Sequence, residues 1–404
     1  MDSIKEEKRL LRVTYLFCIV SFFNLFLIKA PFDKSAIIIG AVICVLMGYA
    51  NFIVRKFFPD GDKYVLIFAC ILSSIGMVMI YRLKPTDAIK QIIFFVIGIV
   101  CFILIVVLLP ELKKYVKFRY VYLVLTLIFI SMPTFIGAAD VNGSQNWVHF
   151  HGFSFQPSEF AKLFLIAYLA SAFSKYKNFK QLIEPAFVVM VSLGFMVLQK
   201  DLGSALIFFA MSVTMLYICT AKLKYVIICL LLFVVGAFIS YKLFGHVRLR
   251  VMIWQNPWPY KTDQSYQVVQ SMYSIAWGGL FGTGLGLGYP GFVPINDSDF
   301  IFASISEEMG VLMGFAIMIL YFLLFYRCMR AALFTEDKFS RLLAVGYSAM
   351  IGAQVLVIVG GVTNMIPLTG ITLPLVSYGG TSMIITFMAL GILQKISEGG
   401  DRSE

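Results

Sequence analysis

The chain has 404 residues, 60% of them hydrophobic and only 14% charged, with a formal charge of +11. Soluble domains sit near about 45–50% apolar and about 25% charged, so this composition excludes a water-soluble fold and makes lipid the solvent. The excess of Lys and Arg is scattered through short loops between apolar runs, which excludes a nucleic-acid surface and reads as membrane orientation.

In chain order, the N-terminal MDSIKEEKRLLR is charged and runs into an apolar stretch without a small-residue cleavage site, so it predicts a retained first helix. Apolar runs of membrane length fall near 10–29, 35–54, 64–81, 91–110, 119–137, 157–174, 183–198, 202–220, 224–244, 306–327, 342–364 and 373–394. The expectation is an all-α polytopic membrane protein of about twelve spans. With the N-terminus in the cytoplasm, Lys and Arg favour the inside loops by roughly two to one, which also puts the C-terminus inside. Seven cysteines (Cys18, Cys44, Cys70, Cys101, Cys219, Cys229 and Cys328) all lie in apolar runs with no CxxC pair, and read as small buried hydrophobes.

Four polar tracts interrupt this pattern. GSQNWVHFHGFSFQPSEFAKLFL, from Gly143, leads into the sixth helix. Pro157 suits the first helical position, Glu159 the first turn, and Lys162 falls on the same face as Glu159. One reading is a capped helix with a structural ion pair. The other is a pair facing an internal cavity, because an ionisable group at membrane depth needs a cavity or a partner such as a phosphate. Asp201 in QKDLGSAL stands at a helix start, where a cap is the plain account. The outer stretch 245–305 is too apolar and glycine-rich for a water-soluble domain, and is expected to lie partly in the interface or to re-enter between helices. In it, Arg248 and Arg250 are candidates for paired hydrogen bonds to phosphate. Its GGLFGTGLGLG run lacks the βαβ context of a dinucleotide site and reads as close packing. Asp299, directly before FIFA, is a cap or a functional acid, and Ser304 with Glu307 fits a capping box. Finally, NMIPLTGITLPLVSYGGTSMI, from Asn364, predicts broken helix lining a cavity, with Ser377, Tyr378 and the amides at Gly379 and Gly380 available to a polar head group.

Together these tracts resemble the SEDS family of shape, elongation, division and sporulation proteins, of the RodA, FtsW and SpoVE type. The matching segments are QPSEFAKL at 156–163, DLGSAL at 201–206, RVMIWQNPW at 250–258, YQVVQS at 266–271, GGLFGTGLG at 278–286, DFIFASISEEMG at 299–310 and PLTGITLPLVSYGGTS at 367–382, with GMVMIY at 76–81. The resemblance implies a core of ten spans over 63–395, an extension of two helices in 1–62 and a short cytoplasmic tail at 396–404. It further implies a glycosyltransferase that polymerises lipid II at the outer face of the bacterial cytoplasmic membrane. Asp299 would then be catalytic, with Glu159, Lys162, Gln156, Trp147, Asp201, Arg248, Arg250, Ser377, Tyr378, Gly379 and Gly380 around the substrate. A class B penicillin-binding transpeptidase is the implied protein partner, membrane lipids are the surroundings, and a divalent cation, Mg or Mn, is the candidate cofactor, with no organic one. Asn146, Lys200, Ile295 and Asp297 depart from the family pattern. A lipid II flippase and a weakly active scaffold for a transpeptidase are the competing readings.

Overall fold

Without water to satisfy their backbone groups, apolar segments must close their hydrogen bonds internally, and this chain does so as helices. The computed structural model describes residues 2–28, 32–59, 61–109, 111–136, 139–141, 144–150 and 153–398, so 399–404 of the expected tail lie outside the described residues. The helices are α1 (Asp2–Ile28), α2 (Lys34–Phe57), α3 (Tyr64–Leu83), α4 (Pro85–Leu108), α5 (Arg119–Ile136), α6 (Pro157–Ser174), α7 (Lys180–Leu198), α8 (Leu202–Thr220), α9 (Leu223–Leu243), α10 (Gly245–Gln255), α11 (Tyr266–Gly278), α12 (Ile301–Leu333), α13 (Lys338–Val362) and α14 (Gly380–Glu398). Eleven helices among the described residues are long and apolar enough to cross a membrane. The sixth expected span, α6, is not one of them; it carries Glu159 and Lys162 in its first two turns. The chain is a multi-pass membrane protein.

The structure refines the sequence reading in four places. The loop before α6 holds three short antiparallel strands, β1 (Ala139–Val141), β2 (Ser144–Phe150) and β3 (Phe153–Phe155), a small addition to the expected helical fold. The stretch 245–305 contains α10 and α11. Residues 363–379 are non-helical, so the last span starts at Gly380 and not at 373. Lastly, α12 begins at Ile301 and is broken at Gly310, whose φ is 83°. A Cβ at Gly310 would lie 2.2 Å from the Leu280 carbonyl, and one at Gly282 (φ 83°) would lie 2.3 Å from the Glu308 carbonyl. Only glycine permits that approach, so the glycine-rich loop after α11 crosses α12 at its break.

Packing sorts the helices by depth. α3 is 89% buried over its apolar window, enclosed by α1, α2, α4 and α12, whereas α9 contributes no buried residue. α13 lies between α6, α8 and α12, and α14 lies along α4. The N-terminal hairpin of α1 and α2 packs on α3, and near the C-terminal end of α3 the Tyr81 hydroxyl donates to Asp33 Oδ2 at 2.8 Å.

Candidate active site

The C-terminal end of α3, the N-terminal ends of α8 and α12, and α10 meet the non-helical segment 363–379, and the polar residues gather there. The site is built from the turn at 290–300. Ile295 has φ 54°, a left-handed conformation that costs a β-branched residue about 1–3 kcal/mol. Contacts from the rest of the chain hold the turn in place. The Tyr378 amide donates to the Asp297 carbonyl at 2.8 Å. The Ser377 hydroxyl donates to the Ser298 carbonyl at 2.6 Å and accepts from the Leu373 amide at 2.8 Å. Lys84, at the α3–α4 junction, reaches Asp297 Oδ1 at 2.8 Å.

Asp299 rides on this turn. The helix cap is Phe300, with no side-chain capping bond, so Asp299 is not the N-cap of α12. Its Oδ1 accepts from the Ser298 hydroxyl at 3.0 Å, and Gly370 lies beside Oδ2. Burial pushes the Asp299 carboxyl up to about 6; the Ser298 hydroxyl lowers it, the Asp297 charge adds to the rise, and Arg250 opposes it. The result is a carboxyl poised to exchange a proton near neutrality.

Arg250 on α10 donates through Nη1 to the Leu368 and Thr369 carbonyls, each at 3.2 Å. Burial pushes its guanidinium down while Asp201 and Asp299 hold it up, and a guanidinium stays cationic at neutral pH. Arg250 and Thr369 also stand at one end of a half-open apolar cavity of about 880 Å³ lined chiefly by α7, α8, α9 and α10. Arg248 does not join it. Two residues along a helix are turned to opposite sides, and Arg248 is exposed, donating to the Lys242 carbonyl at 3.1 Å.

Other sequence candidates are engaged by protein groups. Glu159 Oε1 and Gln354 Oε1 accept from Lys162 Nζ at 2.7 and 2.9 Å, and Lys162 is 1% exposed. Gln354 in turn donates to the Thr372 carbonyl at 2.9 Å. The pair therefore faces α13 and the broken segment, not the apolar cavity. Asp201 caps α8 through the Ser204 amide at 3.0 Å, and its Oδ2 accepts from Ser204 Oγ, Asn146 Nδ2 and Gln156 Nε2. Asn146 and Val148 are buried, so Trp147 points to the other face of β2, away from Asp201. Lys200 has φ 60°, which proline cannot adopt, so this turn is built differently from one with proline in that place. Of the two amides expected to be free, that of Gly379 is occupied, donating to Gln91 Oε1 at 3.2 Å; the Ser377 amide donates to the Leu373 carbonyl at 2.9 Å. Gly380 is the first residue of α14, against Phe94. The Ser304–Glu307 capping box does not form. Ser304 donates to the Asn296 carbonyl, and Glu307 accepts from the Tyr289 amide and the Ser274 hydroxyl. Glu308 pairs with Arg82 at 3.1 Å. Sequence reasoning missed Lys84, Arg82, Gln91 and Gln354. Their only local signal is a polar group at the end of, or inside, an apolar helix.

Comparison with known proteins bears on the family of the chain and on its fold. The family described as cell cycle protein, FtsW/RodA/SpoVE, matches residues 62–401. Peptidoglycan glycosyltransferase RodA of Mycobacterium tuberculosis is 34% identical over 400 residues, covering 92% of this chain and 85% of the relative. Stage V sporulation protein E of Bacillus subtilis is 34% identical over 357 residues, covering 83% and 96%. Among solved structures, a chain of a peptidoglycan synthase complex superposes with a TM-score of 0.72 at 24% identity, covering 83% of this chain and 97% of that one. The rod shape determining protein RodA of Thermus thermophilus superposes with a TM-score of 0.63 at 23% identity, covering 83% and 96%; at such identities these two likenesses concern the fold. The match over most of the chain, with relatives above 30% identity, shows that this protein belongs to the FtsW/RodA/SpoVE family.

Proposed function

We propose that the chain polymerises lipid II into glycan strands at the outer face of the bacterial cytoplasmic membrane, releasing undecaprenyl pyrophosphate. The observation that carries this reading is a carboxyl near neutrality, Asp299, close to the arginine end of an apolar cavity. The polyprenyl tail of a lipid-linked sugar belongs in the apolar cavity, and its pyrophosphate belongs at Arg250, which presents planar paired donors. The acceptor sugar's hydroxyl loses its proton to Asp299 as its oxygen bonds to the donor's anomeric carbon. The bond from that carbon to the pyrophosphate breaks, and Arg250 stabilises the charge that develops there. One displacement inverts an α-linked donor to a β-1,4 product.

The domain division goes with this reading: 63–395 forms the polymerising core, 1–62 an added helical hairpin, and 396–404 the tail. Both termini are cytoplasmic and 245–305 is outside. A divalent cation, Mg or Mn, would be held chiefly by the substrate's pyrophosphate, since no group of three metal-ligating side chains occurs among the described residues. The protein partner is a class B penicillin-binding transpeptidase, which crosslinks the strand as it emerges. The peptidoglycan synthase complex that shares this fold coordinates polymerisation and crosslinking, which supports such a pairing.

The test is the purified full chain with lipid II in detergent, with and without the transpeptidase. Strand growth supports the enzyme. Movement of lipid II across reconstituted bilayers without strand growth means a flippase, and neither activity without the transpeptidase means a scaffold.

A further inference from the structure

We propose that Lys84, at the elbow between α3 and α4, is a positioning residue for the reaction, neutralising Asp297 so that Asp299 alone acts as the base. The inference rests on the polymerase reading above.

The geometry begins with the elbow. Lys84 ends α3 and precedes Pro85, the first residue of α4. Its amide donates to the Ile80 carbonyl at 2.7 Å, and its carbonyl accepts from the Asp87 and Ala88 amides at 3.0 and 3.1 Å. Its backbone is therefore fixed by two helices. From there the ammonium crosses to a turn 213 residues away and meets Asp297 Oδ1 at 2.8 Å, with the Asp297 side chain 6% exposed. An almost fully buried carboxylate two residues from another is tolerable only with a cation against it. The same elbow contributes Arg82, which pairs with Glu308 and donates to the Gly286 and Gly288 carbonyls. One junction thus steadies both the glycine-rich loop and the turn that carries Asp299.

Every charged neighbour of the turn bears on the consequence. Asp299 is faced by Asp297 and Ser298 from its own turn and by Arg250 from α10, which Asp201 from α8 also addresses. Tyr378, whose amide holds Asp297, is in turn faced by Lys84, Lys90 and Asp87. The Asp297 charge disfavours ionisation of Asp299, and Arg250 is already engaged with Leu368 and Thr369. Lys84 is the group in contact with the Asp297 carboxylate, and it offsets that charge where it arises. Its side chain is 48% exposed and does not line the apolar cavity, so the compensation leaves that cavity free.

The test is the pH dependence of lipid II polymerisation by the full chain carrying Lys84→Met, Lys84→Arg, Asp297→Asn, or Lys84→Met with Asp297→Asn. Removing Lys84 leaves Asp297 uncompensated, so the acid limb of kcat/KM should move to higher pH by about one unit, a roughly tenfold loss on that limb. Lys84→Arg should keep the wild-type profile. Asp297→Asn should move the limb to lower pH, and adding it to Lys84→Met should abolish the upward shift. An unmoved limb in Lys84→Met overturns the proposal, as does a loss that Asp297→Asn does not rescue, which would mean that Lys84 meets the substrate itself. If Lys84→Met does not survive purification, Asp297→Asn carries the test, and an unmoved limb there is decisive against it. Wild-type chain that makes no glycan at any pH sinks the polymerase reading instead. An active wild type with an unmoved Lys84→Met limb sinks only the role of Lys84.

Discussion

Two carboxylate–cation arrangements in this molecule look alike in sequence and differ in what they can do. Glu159 and Lys162 sit three residues apart on α6, enclosed, with Lys162 1% exposed and its second partner on α13. Asp297 and Asp299 sit two residues apart on a strained turn, with their cations Lys84 and Arg250 arriving from other elements and Asp299 partly exposed. In the first arrangement the ammonium is engaged with two protein oxygens, Glu159 Oε1 and Gln354 Oε1. The second keeps a carboxyl poised near neutrality and faced by Arg250, which lines the cavity. A buried ion pair is thus weak evidence of a ligand site, and the half-open one is the better candidate.

The largest expected effect separates the two. Asp299→Asn should cost about a hundredfold or more in polymerisation, as general-base removal does, while the melting temperature stays near wild type because no cap is lost. In the wild type, the same base predicts that kcat/KM rises as pH increases through about 6, where Asp299 ionises. Loss of fold in Asp299→Asn, or full activity, would break the comparison. Next comes Lys162→Met, which should act on stability: breaking a buried pair by removing one partner costs about 3–5 kcal/mol, read as a lower melting temperature of the purified protein. Adding Glu159→Gln should recover part of that loss. If Lys162→Met melts normally and only polymerisation fails, the enclosed pair meets substrate after all. Arg250→Ala should raise KM by about tenfold with a smaller change in kcat, on the scale of one charge-assisted contact of about 1.5 kcal/mol. A kcat-only effect would mean that Arg250 meets only the leaving group's developing charge and does not hold the pyrophosphate of the bound substrate. The smallest effect belongs to Arg248→Ala, which should stay within about 0.5 kcal/mol in stability and leave the rate unchanged. A clear loss of activity there would show that α10 presents both arginines to the substrate.

Much of this was legible in the sequence. Composition decided the solvent, and apolar run length located the spans, including the separation of α7 from α8 at Gln199–Asp201. Local rules placed Glu159 and Lys162 on one face and Asp201 at a cap, and the prolines and glycines after Asn364 marked the non-helical segment. These signals act within a turn or two of chain, where propensity, capping and periodicity operate. What the tertiary structure decided lies beyond that range. Lys162 finds Gln354 at a separation of 192 residues, and Lys84 finds Asp297 at 213. Arg250 turns toward the cavity while Arg248 turns to the surface, and α12 breaks at Gly310 because the Leu280 carbonyl occupies the space of a Cβ. α3 and α9 have similar hydropathy, 2.2 and 2.5, yet one is 89% buried and the other not at all. In lipid an apolar side chain is satisfied by a neighbouring helix or by an acyl chain alike, so hydrophobicity specifies insertion, and packing alone decides which faces meet.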